Sequence, residues 1–233
     1  MTRTQKWAAL AAIVLVIAVV TAGFIWFSGN DDGGAADNAT ATAPTEPAQG
    51  NNGESGFADP ATDFFGRKVN VSNNPAGQPL PQRDPGQRVE CDPSRPATAQ
   101  GGINIQRNFD SSMLYSETDG PARLDGDIAL GYSHSPQGAA LAGWNIWQNT
   151  RTGGEVTKQV LLQQTMIDAE LRKKLETETP PDSGRTAETK RRMVVPDGFR
   201  LRSCEKDFAV VEYALRQLAD ENGALAAPRW MSR

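Results

Sequence analysis

One short motif combines the residue types of a serine hydrolase. The motif Gly-Tyr-Ser-His-Ser at residues 131–135 places His134, the only histidine of the chain, between Ser133 and Ser135. The nucleophile elbow of hydrolases is Gly-x-Ser-x-Gly, and Ser135 stands where its second glycine belongs. Neighbouring residues seldom point at one another, and no acidic residue is evidently placed to complete a triad. An envelope serine hydrolase is therefore an alternative hypothesis and not the favoured one.

A second short match has the form of a penicillin-recognising nucleophile. Residues 203–206, Ser-Cys-Glu-Lys, fit Ser-x-x-Lys, but the companion Ser-Asp-Asn and Lys-Thr-Gly motifs are absent from the sequence. The match also lies in a segment that we predict to be a strand. The sequence contains no phosphate-binding loop, dinucleotide fingerprint, His-Glu-x-x-His motif or calcium loop. We expect no cofactor, no bound metal and no enzymatic activity.

Cys91 and Cys204 are the two cysteines of the chain. In an oxidising compartment such a pair most simply forms one disulfide bond. In the chain-entropy model, closing a ring of this size stabilises a fold by on the order of 4–5 kcal/mol. Two free buried thiols are the alternative. The sequence has no Cys-x-x-Cys pair, which excludes a thioredoxin-like site and a zinc knuckle.

The elements that would position these residues begin with an uncharged apolar segment at residues 7–27. As a helix it would be about 31 Å long, which matches the hydrocarbon core of a bilayer. Because the segment ends in bulky residues, an uncleaved anchor is favoured over a cleaved signal peptide or a buried core helix. Two basic residues precede it and two aspartates follow it. The positive-inside rule then leaves residues 1–6 in the cytoplasm and the rest outside a cell membrane spanned once.

Residues 28–60 contain six acidic residues and no basic one, among many small and polar residues. Because this composition offers little apolar surface to bury, it predicts a disordered linker. Such a linker has a root-mean-square reach of about 30 Å. We expect one extracytoplasmic α+β domain over residues 61–233. Its first part, residues 61–100, is rich in proline, glycine and asparagine and predicts an irregular lead-in.

Helical patterns occupy the middle of that domain. Ser135 supplies an N-cap oxygen and Pro136 a first-turn proline, so we predict a helix over residues 136–149 with Trp144 toward the core. A second helix is predicted over residues 155–177, where four apolar residues form one stripe. Residues 185–193 are basic, and we expect a solvated short helix or loop there. Contact with anionic lipid headgroups or wall polymers is the functional alternative.

Strand patterns lie on both sides of the helices. Ile103 and Ile105 alternate with polar residues and predict an edge strand. Asp125-Gly126 predicts a turn. Residues 199–204 alternate, and residues 208–218 fit a strand better than a helix because they are rich in valine and tyrosine. Asn222-Gly223 could close a hairpin into residues 224–230. Helices that precede a C-terminal antiparallel sheet indicate an α+β fold with the helices packed on that sheet.

One passage carries a family resemblance. Gly120-Pro-Ala-Arg, Asp125-Gly-Asp and Gly-Tyr-Ser-His-Ser-Pro-Gln-Gly-Ala at residues 131–139 resemble a signature of actinobacterial single-pass, membrane-anchored envelope proteins of unknown function. The resemblance implies an extracytoplasmic α+β domain that is cystatin-like or similar to the assembly domains of conjugation and secretion machines. The signature is a turn of the form Gly-aromatic-small-x-Ser/Thr-Pro-x-Gly-Ala. It maps onto Gly131, Tyr132, Ser135, Pro136 and Gly138 and brings no catalytic residues.

These observations favour a non-enzymatic, membrane-tethered extracytoplasmic domain that contacts other envelope proteins or polymers. An accessory of a transfer or secretion apparatus is one setting for it. The 233 residues carry 28 acidic and 24 basic side chains and a net charge of −4, which does not indicate a nucleic acid partner. Besides the hydrolase using Ser133 or Ser135 with His134, the remaining alternative is a ligand-binding module. A pocket lined by Trp144 or Trp147 would support it.

Overall fold

The computed structural model describes residues 55–87, 90–94, 102–193, 195–205, 208–216 and 229–232. The predicted membrane segment at residues 7–27 and most of the predicted linker lie outside these residues. No helix among the described residues is both long enough and apolar enough to cross a bilayer. The chain is of mixed α+β architecture, and its elements run β1–β6, α1–α4 and β7–β9.

Four strands form the N-terminal sheet in the order β1-β2-β3-β4: Phe57–Thr62, Lys68–Ser72, Asn104–Asn108 and Ser111–Tyr115. The outer two pairs are antiparallel, whereas β2 and β3 run parallel. The prediction of an irregular lead-in over residues 61–100 is therefore wrong for its first part, and β1 begins inside the predicted linker. No alternating pattern marks β1, because five of its six residues are exposed.

The predicted edge strand around Ile103 and Ile105 is a hairpin of two strands, β3 and β4. Phe109 and Asp110 form its turn with positive φ angles of 46° and 65°. Because β3 pairs with β2 on one side and β4 on the other, it lies inside the sheet and not at its edge. A second hairpin, β5 (Arg123–Asp125) and β6 (Ile128–Leu130), turns at the predicted Asp125-Gly126 site.

The four helices are α1 (Pro136–Asn149), α2 (Gly154–Gln164), α3 (Ala169–Thr177) and α4 (Ala187–Arg191). The structure confirms the predicted bounds of α1. The single helix predicted over residues 155–177 is wrong, since Thr165 is extended and divides it into α2 and α3. Asp168 starts α3 by accepting a hydrogen bond from the Leu171 N–H at 2.7 Å. The N-cap at Asp168 thus starts a new helix, although the apolar stripe continues across the break.

The C-terminal sheet is antiparallel and has the order β7-β8-β9: Gly198–Glu205, Phe208–Leu215 and Arg229–Ser232. The structure confirms the strands predicted at residues 199–204 and 208–218. The latter strand ends at Leu215. The predicted Asn222-Gly223 turn lies outside the described residues.

Helix α1 packs against β4 of the N-terminal sheet and against β7 and β8 of the C-terminal sheet. Trp144 is 2% exposed at the centre of this contact, as predicted, and its ring lies 5.0 Å from that of Trp147 and 5.6 Å from that of Tyr213. The buried apolar side chains of this core are Leu114, Ala140, Leu141, Trp144, Val195, Leu201, Val211 and Tyr213. Of the helices, α1 therefore packs on the C-terminal sheet, whereas α2 packs against α1, α3 and β6, and α4 packs against β4.

The open edge of β4 is closed by side chains of α1. The Asn145 carboxamide accepts from the Leu114 N–H at 2.8 Å and donates to the Leu114 carbonyl at 2.8 Å. Trp144 donates its indole N–H to the Ser112 carbonyl at 3.1 Å. Asn145 thus pairs with Leu114 as a further peptide group of the sheet would, which satisfies backbone groups that are buried under the helix.

Two long-range links join the N-terminal segment to the C-terminal sheet. The predicted disulfide bond between Cys91 and Cys204 is present, with Cα atoms 6.2 Å apart. In the β1–β2 turn, Arg67 donates to Asp63, to Asp197 and to the carbonyls of Val195 and Pro196. One guanidinium therefore connects the turn to the segment that enters β7.

Replacement of Asn145 by leucine should test the closure of the β4 edge. The variant loses three side-chain hydrogen bonds and leaves the buried Leu114 N–H and carbonyl without partners, so we expect a loss of about 3 kcal/mol in the free energy of unfolding. Urea unfolding measures it. Gln163→Leu, on the exposed surface of α2, is the control and should change stability by less than about 0.5 kcal/mol. Equal losses in the two variants would contradict this role.

The Asp63 carboxyl should contribute stability that disappears in acid. Burial opposes its ionisation, but the N–H groups of Arg67 and Phe65 and the Arg67 guanidinium outweigh burial and lower the pKa of Asp63. A lowered pKa means stabilisation that is complete above the unfolded-state value, about 3.9, and is lost as the pH falls through the folded-state value.

The stability difference between wild type and Asp63→Asn should therefore be constant above about pH 5 and shrink below about pH 4. Urea titrations over this range measure it. The exposed Asp125→Asn is the control. A difference for Asp63→Asn that does not depend on pH would refute the assignment.

Candidate functional site

The signature residues form the connection from β6 to α1. Ser135 is the N-cap of α1, with extended backbone angles of −145° and 162°, and its Oγ accepts from the Gly138 N–H at 3.0 Å. Pro136 occupies the first turn of the helix, where a missing N–H has no cost. The sequence predicts this helix start because the hydroxyl and the proline are adjacent.

A buried carboxylate that the sequence did not single out organises this turn. Asp119 is 2% exposed. Its Oδ1 accepts from Ser133 at 2.7 Å and from Ser135 at 2.9 Å, and its Oδ2 accepts from Thr118 at 2.7 Å. Ser116 Oγ accepts from the N–H groups of Thr118 and Asp119. A polar run of hydroxyl and acidic residues before Gly120-Pro121 is the only sequence signal of this cluster.

Close backbone approach explains two glycines of the passage. Gly120 has a φ of +88°, and a Cβ there would lie 2.6 Å from the Gly131 carbonyl oxygen. A Cβ on Gly138 would lie 2.0 Å from the Ser133 carbonyl oxygen. Any side chain at either position would therefore push the Asp119 loop or the first turn of α1 away from the signature turn. The glycine pattern follows from the packing of three backbone segments.

Tyr132 anchors the turn in the interior. Its side chain packs against all three hydrophobic clusters of the described domain. The hydroxyl accepts from Asn145 Nδ2 at 2.9 Å, so the same carboxamide serves β4 and the turn. Burial, and secondarily the neighbouring Tyr115, raises the pKa of Tyr132 well above its ordinary value. The phenol is thus held neutral as a structural hydrogen-bond acceptor.

The geometry of Ser133, His134 and Ser135 bears on the hydrolase alternative. His134 is exposed. The two serine oxygens lie 2.6 Å apart and both donate to the same oxygen of Asp119. A hydroxyl has one proton, and a nucleophilic serine must give it to its base. Both hydroxyls are hydrogen-bonded to Asp119, and Ser135 Oγ also caps α1. This arrangement favours a structural role for both serines.

The remaining sequence candidates do not assemble a site. Ser203 lies in β7, as predicted, and Lys206 lies outside the described residues. Within the described residues, no group of three or more histidine, cysteine or acidic side chains is placed to hold a metal ion. The basic segment contains the short helix α4, on which Arg191 pairs with Asp110 at 2.7 Å and Arg192 with Glu188 at 2.8 Å. The predicted solvated helix is thus present there.

A surface cleft of about 720 Å³ lies beside the first turn of α2. Its walls carry Arg185 and Lys190 together with Asp110, Glu155 and Asp182, so its charge is mixed. Trp144 and Trp147, the residues expected to line a ligand pocket, are not among its walls. Trp144 is buried in the core, and the ring of Trp147 lies 4.6 Å from the Arg151 guanidinium.

Comparison with known proteins identifies a family without a known activity. The family model of DUF8175, a domain of unknown function, matches residues 70–231. No curated protein and no solved structure matches the chain. The match covers the signature turn, both cysteines and helices α1 to α4, whereas β1 and the turn after it precede the matched residues. The chain belongs to the DUF8175 family.

Proposed function

We propose that this protein is a non-enzymatic domain held outside the cytoplasm by one membrane-spanning segment, where it contacts other components of the cell envelope. The observation that carries the proposal is the Cys91–Cys204 disulfide bond. Disulfide bonds persist in oxidising compartments and are rare in the cytosol. The bond supports the topology expected from the apolar segment at residues 7–27 and from the charges on its two sides.

A structural role of the signature turn supports the non-enzymatic part of the proposal. Ser133 and Ser135 direct their hydroxyl protons to Asp119. Ser135 and Pro136 start α1, and Tyr132 packs between the three clusters. The two serines that resembled a catalytic motif in the sequence thus have a use in folding.

The finer assignment rests on the signature at residues 131–139. We propose an actinobacterial single-pass envelope protein whose partners are envelope proteins or polymers, with a transfer or secretion apparatus as one setting. The packing of α1 across the antiparallel β7-β8-β9 sheet supports a cystatin-like half of the domain. The four-stranded sheet on the other side of α1 is an addition to such a unit.

Thiol labelling in intact cells tests the topology. With a membrane-impermeant maleimide we expect no labelling of the wild type until an impermeant phosphine reduces the disulfide. Cys204→Ser should be labelled without reductant, because it frees the exposed Cys91. Thr2→Cys, in the expected cytoplasmic tail, is the control and should be labelled only after permeabilisation. Labelling of Cys91 only after permeabilisation would refute the proposed topology.

A fluorophosphonate probe tests the hydrolase alternative on the folded full-length chain. We expect no labelling, because both serine hydroxyls are hydrogen-bonded to Asp119 and Ser135 also caps α1. Labelling that is lost in Ser133→Ala or Ser135→Ala but retained in Ser183→Ala would establish a serine enzyme in place of the proposed function.

A further inference from the structure

The β1–β2 turn holds its backbone in one conformation. Asp63 Oδ1 accepts from the N–H groups of Phe65 and Arg67 at 2.9 Å each, and Oδ2 accepts from Arg67 Nε at 2.7 Å. The turn closes with a hydrogen bond from the Asp63 N–H to the Arg67 carbonyl. The acid that organises this turn is itself enclosed, with its side chain 3% exposed.

The turn is also fixed to the C-terminal sheet. Arg67 reaches the carbonyls ahead of β7, and Arg216, just after β8, makes two hydrogen bonds to Asp197. The guanidinium carbon of Arg216 lies 4.7 Å from the centre of the Phe65 ring, within the range of a cation–π contact. Phe65 is therefore used inside the domain.

Phe64, its neighbour, lies edge-to-face against the Phe65 ring with the two ring centroids 6.0 Å apart. It is 60% exposed, the highest exposure of an aromatic side chain among residues with described side chains. A large apolar side chain on a turn with a fixed backbone is suited to contact a partner. Its transfer out of water is favourable, and little conformational entropy of the backbone is lost on binding.

Other exposed side chains share this end of the N-terminal sheet. Because β2 and β3 run parallel, Ile103 ahead of β3 lies at the same end as the turn ahead of β2, and it is 42% exposed. Lys68 is exposed, and the Arg216 side chain is 43% exposed. We call Phe64, Lys68, Ile103 and Arg216 the Phe64 face. It combines apolar side chains with the positive charges of Lys68 and Arg216, of which Arg216 is paired with Asp197 at 3.0 Å, and the acid of the turn, Asp63, points inward.

We propose that the Phe64 face contacts the anionic headgroup region of the bilayer in which the chain is anchored. This inference depends on the proposed function, since residues 28–56 join the proposed membrane segment to β1. Phenylalanine side chains insert at the boundary between headgroups and acyl chains, and lysine and arginine are attracted to anionic lipids. The face thus has both properties that such a surface recognises, and the domain would lie against the membrane.

The full-length chain in lipid nanodiscs tests the contact. 4-Fluorophenylalanine is incorporated at position 64 in one sample and at position 166 in another, where the native Met166 is 67% exposed on the α2–α3 connection. The discs contain phosphatidylcholine with or without 30% phosphatidylglycerol and a headgroup-spin-labelled lipid. In anionic discs we expect the paramagnetic broadening of fluorine at position 64 to exceed that at position 166 at least threefold.

Charge variants separate the lipid contact from general proximity. Lys68→Glu should reduce the broadening at position 64 at least twofold, whereas Lys173→Glu, on the exposed surface of α3, should leave it unchanged. Equal broadening at the two positions, or no effect of Lys68→Glu, overturns the lipid contact; the first result would leave a protein partner as the occupant of the face. A chain that does not remain with the discs in gel filtration overturns the proposed anchoring instead, and this inference with it.

Discussion

Helix α1 covers the open edge of strand β4, and the fold depends on the hydrogen bonds that the Asn145 side chain supplies to that edge. A strand edge buried under a helix has N–H and carbonyl groups that water cannot reach. Asn145 pairs with both groups of Leu114. The Gln106 side chain pairs with a backbone residue in the same way: its carboxamide accepts from the Gln78 N–H at 2.9 Å and donates to the Gln78 carbonyl at 2.8 Å. Two side-chain amides thus act as additional peptide groups of the structure.

The position of α1 follows from this pairing, and the signature turn follows from the position of α1. Asn145 is matched to one residue of β4, so the helix cannot slide along the sheet without losing its hydrogen bonds. Asn145 also binds the Tyr132 hydroxyl, which couples the turn to the same point. Asp119 then gathers the hydroxyls at the start of the helix. The signature turn thus starts α1 at the position from which the later residues of the helix contact both sheets.

Elements with strong local signals could be predicted from the sequence. Ser135 and Pro136 define the start of α1, and alternation defines β7. Strand β1 could not be predicted, because it contains Pro60 and exposes side chains on both faces. The division between α2 and α3 was missed because no glycine or proline marks it. Periodicity extends across Thr165, and only the N-cap of Asp168 indicates the new start.

The candidate site shows the same difference between local and distant information. The cap formed by Ser135 is a contact over three residues and was predicted. Asp119 contacts Ser133 and Ser135, which lie 14 and 16 positions further along the chain, so no short sequence pattern predicts these contacts. The proposed Phe64 face could not be predicted for a similar reason, since Lys68, Ile103 and Arg216 are distant in the sequence and only the sheet topology places Ile103 at the end where the β1–β2 turn lies.

The disulfide bond has a consequence for the survival of the domain after proteolytic nicking. Cys91 and Cys204 are 113 positions apart, and the chain between them includes β3 to β6, all four helices and most of β7. A protease that cuts one peptide bond between the two cysteines yields fragments that stay covalently joined. Only a cut before Cys91 can release the disulfide-closed part of the molecule from the residues that precede it. The susceptibility of the first 90 residues to proteases therefore determines whether this part is released.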